Sequence, residues 1–557
     1  GVENQSTLGG TRTTAHVTGY YYGYQGGFTK TLNELFQEFL ENNIKFSYEK
    51  ASAYIMLEYF HFISLEQMHF PYLLNTVVCG TKLDGKRLVG AIVANDTGVY
   101  LINSKIFLDM TGNGDLAALS GAAFEFGDPQ DGNSQTFSRW GRTELGVNNY
   151  LENQFHGDYD AVDPSNYQDM LRALTISQCD NSEYYFSHPL AYREGRRIIG
   201  KEYITLEKAL TFRDLSQIVL ISETTLDNHG RMSADYALMG FGTLNKVYRA
   251  AFPLGCFIPK DIDGLFVGGK AISGDRDAVG MARMNADIQN AGFMLGIYAG
   301  LTQGGDLESV DFESFQNKLR QLNILTKERE TPTIKSVHEA VAQLSNYDPY
   351  SLFDVLLQEK HAVLPLLRAA YEQENIIQRK YLIAKALAWF ADPLGIDLLY
   401  KRFDELIHNE CSDSKSDIDD HMDVVRHGVA NDYVNDYWDL NQLIVLFERL
   451  KDQTKITELC DLLKRANAGG TPYRSKYVYY ASRADMVCVP YFERLYILAH
   501  YFIHLPSKKA APYLFDLLGK ENIGGGLYCH NLENSPLYLS SYLELTIARA
   551  AYRCGES

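Results

Sequence analysis

The chain contains no apolar run long enough to span a lipid bilayer, which needs about 20 consecutive apolar residues. Positive charge is also in deficit, with 52 Lys and Arg against 70 Asp and Glu and a formal net charge of −18. This balance argues against nucleic acid or an anionic membrane as a partner, since both attract cationic surfaces. The eight cysteines form no C-x-x-C pair and no metal-ligand spacing, so we expect scattered thiols and predict no metal site. We expect a soluble protein of bacterial type, with the cytoplasm favoured over export.

The stretch from Ile106 to Gly127 gives the clearest local signal. It begins with apolar residues, which are interrupted by the sequence T-G-N-G-D. Small residues with helical spacing follow. This order predicts a strand, a tight glycine turn and a helix. Gly112 and Gly114 let the backbone approach a ligand closely, and the helix start offers free N–H groups to an anion. Asp115 is interpreted as a helix cap or a partner for a hydroxyl.

A second stretch, residues 264–301, repeats the pattern. An apolar strand ends in Gly268-Gly269 and is followed by a long helix of small residues. Together the two stretches resemble the FAD-dependent oxidoreductase family with a glutathione-reductase-like flavin fold. The matching residues are Asp109, Thr111, Gly112, Gly114, Asp115, Leu116 and Ala117, then Leu265, Val267, Gly269, Ser273, Ala278, Gly280 and Arg283. The resemblance covers roughly residues 1–305 and departs from the family at Lys270, where arginine is frequent, and at Gly195, where threonine is usual.

The resemblance implies FAD as cofactor, with a defined set of contact residues. These are Glu3, Gly9, Gly10, Thr11, Val78, Thr111, Gly112, Asp115, Gly269, Ser273, Ala278, Gly280 and Met281. Val78 would contact the adenine through its backbone, at the start of a strand. Glu3 would stand where the family's acid holds the adenosine ribose.

The first residues follow the family segment that comes just after its second strand. The strand, G-x-G-x-x-G turn and helix that precede that segment in the family are not in the printed sequence, and that turn holds the cofactor's pyrophosphate. We expect Gly1 to be a cloning remnant and the unit to have been trimmed as if it were a signal peptide. A natural truncation or a degenerate paralogue is the alternative. The chain as printed is then expected to hold FAD weakly or not at all.

Local patterns predict further elements of the first half. Residues 28–42 have the apolar spacing of a surface helix, and residues 68–75 are interpreted as helical. From Thr76 the alternation of apolar and polar residues, with turns at Asp84-Gly85 and Asp96-Thr97-Gly98, predicts a β-meander.

Residues 128–255 are predicted to form an inserted α+β substrate domain. Arg193, Arg196 and Arg197 surround Glu194, and the run resembles a family segment near the flavin. We predict Arg193 and Arg196 as an anion clamp, although ion pairs that join the insert to the flavin domain are the alternative. His229 is predicted to transfer a proton beside Asp227, with a structural Asp–His pair as the alternative.

Beyond residue 330 the pattern changes to paired amphipathic helices. Long apolar helices, short breaks and second helices recur irregularly, which predicts an all-α, HEAT-like domain over 331–557 or else a helical bundle. The acidic stretch Asn409–Asp423 is interpreted as a solvated loop because its spacing fits no metal. A protein partner or self-association through this domain stays open.

The predicted fold is an α/β flavin-binding domain with a mixed or parallel sheet, followed by the helical domain. Its parts are residues 1–127 and 256–330 for the flavin domain, 128–255 for the insert, and 331–557 for the helices. The predicted function is FAD-dependent hydride transfer with a small organic substrate, of which sugar-derived alcohols are one class. The alternatives are a non-catalytic scaffold with a vestigial flavin domain and a carbohydrate lyase.

Overall fold

The computed structural model describes most of the chain, and its residues group into two compact units. The described residues are 1–17, 19–20, 22–42, 53–127, 134–141, 154–179, 190–226, 236, 239, 246–345, 349–409, 432–468, 479–481, 486–488, 490–520 and 542–556. One unit combines Gly1–Asp227 with Lys246–Thr333, and the other combines Asn228–Asn245 with Ile334–Ser557. The helical domain was predicted from residue 331, and the second unit takes up the chain at Ile334.

The first unit combines helices with small sheets. Its helices are α1 (Gly27–Asn42), α2 (Ala53–Gln67), α3 (Asp115–Leu119), α4 (Tyr167–Cys179), α5 (Leu206–Thr211), α6 (Arg276–Ala282), α7 (Asn285–Leu301) and α8 (Phe312–Gln321). Its strands are β1 (Val77–Asp84), β2 (Arg87–Asn95), β3 (Gly98–Asn103), β4 (Phe107–Asp109), β5 (Phe124–Glu125), β6 (Thr136–Gly141), β7 (Gln154–Ala161), β8 (Ala191–Tyr192), β9 (Arg197–Ile198), β10 (Ile218–Thr224), β11 (Tyr248–Pro253) and β12 (Leu265–Val267).

A parallel strand pair lies at the centre of the first unit's core. β4 and β12 run side by side, with Phe107 opposite Leu265 and Asp109 opposite Val267. Their apolar side chains join Leu116 of α3 in a buried cluster, so the two strands and the helix hold one another in place. Because the strands are parallel, their carboxyl ends meet at the same edge, and the two glycine turns that follow them are neighbours.

The predicted meander is present. β1, β2 and β3 pair antiparallel in chain order, and Gly85 takes a φ of 59° in the turn between the first two strands. Apolar and polar residues alternate in this region because one face of the sheet packs on the core and the other faces water.

Two local predictions in the first unit were wrong. Residues 68–75 form turns and an isolated bridge, not a helix. Pro71 explains this, since it donates no N–H and disfavours helical backbone in the residue before it. The helix predicted after Gly269 is interrupted, because α6 ends at Ala282 and α7 begins at Asn285.

The region predicted as an insert, together with β5 just before it, contains antiparallel pairs. β6 pairs with both β7 and β8, β5 pairs with β9, and β10 pairs with β11. β10 also contacts α6 and α7, so the last pair lies against the helices that follow the parallel strands. These strands occur together with α4 and α5, and the insert as a separate domain stays a prediction.

The second unit is mostly helical. Its helices are α9 (Val337–Ala342), α10 (Pro349–Leu356), α11 (Lys360–Gln373), α12 (Ile377–Trp389), α13 (Ile396–Asn409), α14 (Asp432–Arg449), α15 (Ile456–Ala468), α16 (Pro490–His504), α17 (Ala511–Leu518) and α18 (Tyr542–Glu556). It also contains the short antiparallel pair β13 (Tyr479–Ala481) and β14 (Met486–Cys488), a local departure from the all-α domain that was predicted. Aromatic and β-branched residues around these strands favour extended backbone.

Helices of the second unit pack both on the next helix in the chain and on the helix two further along. α11 contacts α12, α12 contacts α13 and α14, and α16 contacts α14 and α18. The HEAT-like arrangement itself stays a prediction, and the stretch Asn409–Asp423 lies outside the described residues beyond the end of α13. No helix among the described residues combines the length and apolar character that crossing a membrane requires.

Candidate active site

Asp109 organises the turn at the carboxyl end of β4. One of its carboxylate oxygens accepts hydrogen bonds from the backbone N–H of Thr111 at 3.1 Å and from the Thr111 hydroxyl at 2.7 Å. The other accepts the N–H of Ala117 in α3 at 2.9 Å. The Thr111 hydroxyl in turn accepts the N–H of Asp115 at 2.9 Å, so strand, turn and helix start are tied together. Burial raises the pKa of Asp109.

The glycines of this turn have backbone conformations that other residues adopt only with strain. Gly112 has a φ of 76° and Gly114 a φ of 64°, both in the left-handed region. A Cβ at Gly112 would meet only the Lys270 Cε at 3.7 Å, whereas a Cβ at Gly114 would meet Ile198 Cδ1 at 2.8 Å. Gly112 therefore presents open backbone, while Gly114 is required for packing.

We expect Gly114→Ala to destabilise the first unit more than Gly121→Ala. Both positions have positive φ, but the space around Gly121 is open and Ile198 fills the space beside Gly114. Left-handed strain costs each variant about 1–3 kcal/mol, and overpacking adds about 1–3 kcal/mol at Gly114 alone. Urea unfolding of the full chain measures the difference, and equal losses in the two variants would contradict the packing described.

The turn after β12 lies beside the turn after β4. The Gly268 N–H donates to the Asp109 carbonyl at 3.0 Å, and the Cβ position of Gly114 lies 3.5 Å from the Ala271 Cβ. Gly269 has a φ of 64°, and nothing lies within 4 Å of its Cβ position. The two predicted glycine turns thus form one site at the carboxyl end of the parallel pair.

Lys270 is the titratable group at the centre of this site. Its Nζ donates to the Tyr192 carbonyl at 2.6 Å and lies 3.4 Å from the centre of the Tyr192 ring. Burial, reinforced by the charges of Arg283 and Arg193, lowers the pKa of Lys270 to about 7. The neutral amine and the ammonium are therefore both populated near neutral pH, which is the condition for a proton acceptor. Sequence reasoning noted Lys270 only as a departure from the family pattern.

Arg196 is held by the β4 turn. Its Nη1 donates to the Asp115 carboxylate at 2.8 Å, and its backbone N–H donates to Asn113 Oδ1 at 3.0 Å. Asn113 Nδ2 also donates to Asp115 at 3.1 Å, so the three residues form one network. For Arg196, the ion pair with Asp115 is the kind of contact named above as the alternative to an anion clamp, an ion pair between the predicted insert and the flavin domain. Arg193 lies near enough to Lys270 to lower the pKa of that amine, so Arg193 and Lys270 belong to the same cationic group.

Arg197 is a structural residue. Its side chain is 2 % exposed, is paired with the equally buried Glu194, and donates to the carbonyls of Gly127 at 2.8 Å and Gly274 at 3.2 Å. Glu194 also accepts the N–H of Gln135 at 2.8 Å. These bonds connect β9 to the segments that contain Gly127, Gly274 and Gln135. Arg197 therefore stabilises the fold, whereas Arg193 and Arg196 lie at the site.

Glu3 and its neighbours form a separate turn. Glu3 donates its N–H to Leu73 at 2.8 Å and accepts the Gln5 N–H on its carboxylate at 3.0 Å, and burial raises its pKa. Gly9 and Gly10 have φ values of 99° and 50° in the turn that leads into exposed Thr11. Val78, in β1, packs against the core cluster.

Several predicted contact residues are deeply buried. Ser273, Ala278 and Met281 are fully inaccessible, and Gly280 is buried with them in or beside α6. The carbonyl of Met281 accepts the Ser222 hydroxyl at 2.6 Å, so this helix packs against β10. Asp227 and His229 lie outside the described residues, and their predicted role stays a prediction.

Three half-buried glycines with open space at their Cβ positions provide the test of whether these residues suit FAD. Gly10, Gly112 and Gly269 have positive φ, and the space that a Cβ would fill is open at Gly10 and Gly269 and nearly so at Gly112. Such backbone lets a flat ligand approach closely, and the Lys270 and Arg193 charges favour an anionic one. Gly112, Gly269 and Lys270, at the carboxyl edge of the parallel pair, therefore fit the cofactor of the resembled family.

Comparison with known proteins supports the same assignment. A family model described as FAD dependent oxidoreductase matches residues 2–188 and 166–319, together more than half of the chain. No curated protein and no solved structure matches the chain. On this match, and with the strand–turn–helix of residues 107–119 in place, the chain belongs to the FAD-dependent oxidoreductase family.

Proposed function

We propose that this protein, when it holds FAD, oxidises the alcohol of a small, sugar-derived organic acid by hydride transfer to the flavin. The observation that carries the proposal is the position of Lys270. Its Cε lies 3.7 Å from the Cβ position at the open backbone of Gly112, and its Nζ lies 3.4 Å from the centre of the Tyr192 ring, where burial lowers its pKa to about 7. When bound, FAD supplies the hydride acceptor. The protein then has to orient the substrate and remove the hydroxyl proton, and Lys270 is suited to the second task.

The cationic surroundings of Lys270 favour an acidic substrate. Arg193 and Arg283 are both close enough to lower the pKa of Lys270, and they concentrate positive charge at the same edge. A carboxylate bound there would be attracted by these guanidinium groups, which suit carboxylate geometry. A sugar acid carries both this carboxylate and the alcohol to be oxidised.

The neutral form of Lys270 is the one that accepts a proton, which fixes the sign of the pH dependence. Below about pH 7 the amine is protonated and cannot act as a base, and above that pH it is neutral. We therefore expect the rate of substrate oxidation to rise with pH and to level off above this value. A rate that falls as pH rises through the same range would contradict the assignment.

The function is tested with the full chain and added FAD, without oxygen. Uronates, aldoses and alditols are supplied in turn, and electron transfer to an artificial acceptor dye is followed. We expect turnover with at least one uronate and slower turnover with the matching neutral sugars. FAD-bound protein that reduces no dye with any compound would favour the scaffold alternative, and an unsaturated, ultraviolet-absorbing product would favour the lyase.

A further inference from the structure

Two histidines and a glutamate converge in the helical unit. His500 and His504 are one turn apart on α16, and Glu448 lies near the end of α14. His500 Nδ1 lies 2.8 Å from one Glu448 oxygen, and His504 Nδ1 lies 2.7 Å from the other. One potential ligand atom from each residue fits within 4.8 Å of the others.

We propose that Glu448, His500 and His504 bind a Zn²⁺ ion. Imidazole nitrogen and carboxylate oxygen are ligands that zinc prefers, and three protein ligands leave a fourth position for water. Histidines at positions i and i+4 lie on one face of a helix, so a single helix supplies two ligands without backbone adjustment.

The dimensions of the cluster are close to those of a tetrahedral zinc site. Bonds of about 2.0–2.1 Å to each ligand place neighbouring ligand atoms about 3.3 Å apart. The two N···O distances are 2.7 and 2.8 Å, each to a different oxygen of Glu448, and one ligand atom from each of the three residues lies within 4.8 Å of the others. The ligand atoms are therefore gathered near the separation that a zinc ion requires, and small side-chain shifts would complete the site. Rotation of a carboxylate and an imidazole provides that movement, and the helices can stay in place.

Burial supports binding while leaving a path to solvent. The side chains of Glu448 and His500 are 16 % and 6 % exposed, so water competes poorly for them. The His504 side chain is 40 % exposed and marks the side from which an ion arrives.

The same distances have an alternative explanation, in which the Glu448 carboxylate hydrogen-bonds to His500 and His504 without a metal ion. Such hydrogen bonds would stabilise the contact between α14 and α16 without any ion. The two explanations differ in what Zn²⁺ does to the protein, since only a metal site gives binding that depends on all three residues.

The test uses the full chain, stripped of metal with a chelator and titrated with ZnCl₂ by calorimetry. We expect binding whose affinity falls at least about a hundredfold in His504→Ala and in Glu448→Gln, since even residues that only support zinc ligands contribute ten- to a hundredfold. His504 is exposed enough for its loss to leave the fold intact, which circular dichroism checks.

His361→Ala is the matched control. His361 lies 3.0 Å from Glu359 in the same unit, but it is 81 % exposed and belongs to no such three-residue group in the part of the chain that the structure describes. This variant should bind Zn²⁺ like the unmodified chain. The proposal is overturned if the unmodified chain binds no Zn²⁺, if His504→Ala binds it equally well, or if His361→Ala loses it to the same extent.

Discussion

Lys270→Met is expected to slow substrate oxidation by about a hundredfold at about pH 8, where the native amine is neutral and can accept the hydroxyl proton. Methionine keeps much of the length and apolar stem of lysine but has no basic nitrogen. Because the pKa of Lys270 is about 7, the native enzyme loses its own base in acid, so the difference between the two proteins should shrink at about pH 6. Dye reduction by the active uronate, measured across this range, gives both rates.

Two further substitutions distinguish the role of Lys270 as a proton acceptor from the effect of its positive charge. Lys270→Arg places a permanent cation at this position that cannot accept a proton, so kcat should fall as in Lys270→Met, while its positive charge should keep KM for the acidic substrate below that of Lys270→Met. Lys86→Met is the control, because Lys86 is 73 % exposed and pairs only loosely with Asp261. Its rate should match that of the native chain.

His229 provides the competing assignment of the base. The sequence predicts that His229→Ala slows the reaction by roughly a hundredfold if this histidine transfers the proton. If His229→Ala has that effect while Lys270→Met retains the native rate and pH profile, Lys270 is not the base. If both variants are slow but only Lys270→Met loses the rise in rate near pH 7, the assignment to Lys270 stands.

Arg197→Met is expected to lower the free energy of unfolding by about 3–5 kcal/mol. The substitution leaves Glu194 with its side chain 5 % exposed and without its cationic partner, and an uncompensated buried carboxylate is costly. It also removes the donors that satisfy the carbonyls of Gly127 and Gly274. Urea unfolding of the full chain, followed by circular dichroism, measures the loss in the transition of the first unit.

A surface ion pair and a double variant serve as controls. Arg172 pairs with Asp169 at 2.6 Å, but its side chain is 37 % exposed, so Arg172→Met should cost less than about 1 kcal/mol. Adding Glu194→Gln to Arg197→Met removes the buried charge and should recover part of the stability. Equal losses for the Arg197 and Arg172 variants would show that the buried pair contributes no more than a surface one.

The local elements near the site could be predicted because each depends on a short stretch of sequence. Phe107–Asp109 is apolar, Gly112 and Gly114 interrupt it, and the following small residues have helical spacing. A short stretch can also give a wrong prediction. In residues 68–75 the apolar spacing suggested a helix, although Pro71 opposes one.

The chemistry of the site could not be predicted, because it depends on residues far apart in the chain. Lys270 was identifiable as the residue after two glycines, but its lowered pKa comes from burial and from Arg193 and Arg283. Its partner Tyr192 is 78 positions away. Only the folded chain brings these groups together.

The histidine–glutamate cluster illustrates the same limit. His500 and His504 are part of an apolar helical pattern, in which a pair of histidines is unremarkable. Glu448 precedes them by 52 and 56 positions, so no metal-ligand spacing was visible. The packing of α14 against α16 supplies the third ligand.

The most direct test of the account is the pKa of Lys270 itself. Lysine labelled with ¹³C at Cε is incorporated into the full chain, and the Cε chemical shifts are followed by NMR as pH is varied. The account predicts one resonance that titrates near pH 7, is absent in Lys270→Met and is retained in Lys86→Met. If every lysine resonance, that of Lys270 included, titrates near the ordinary value of about 10.4, Lys270 is not the neutral base at this site.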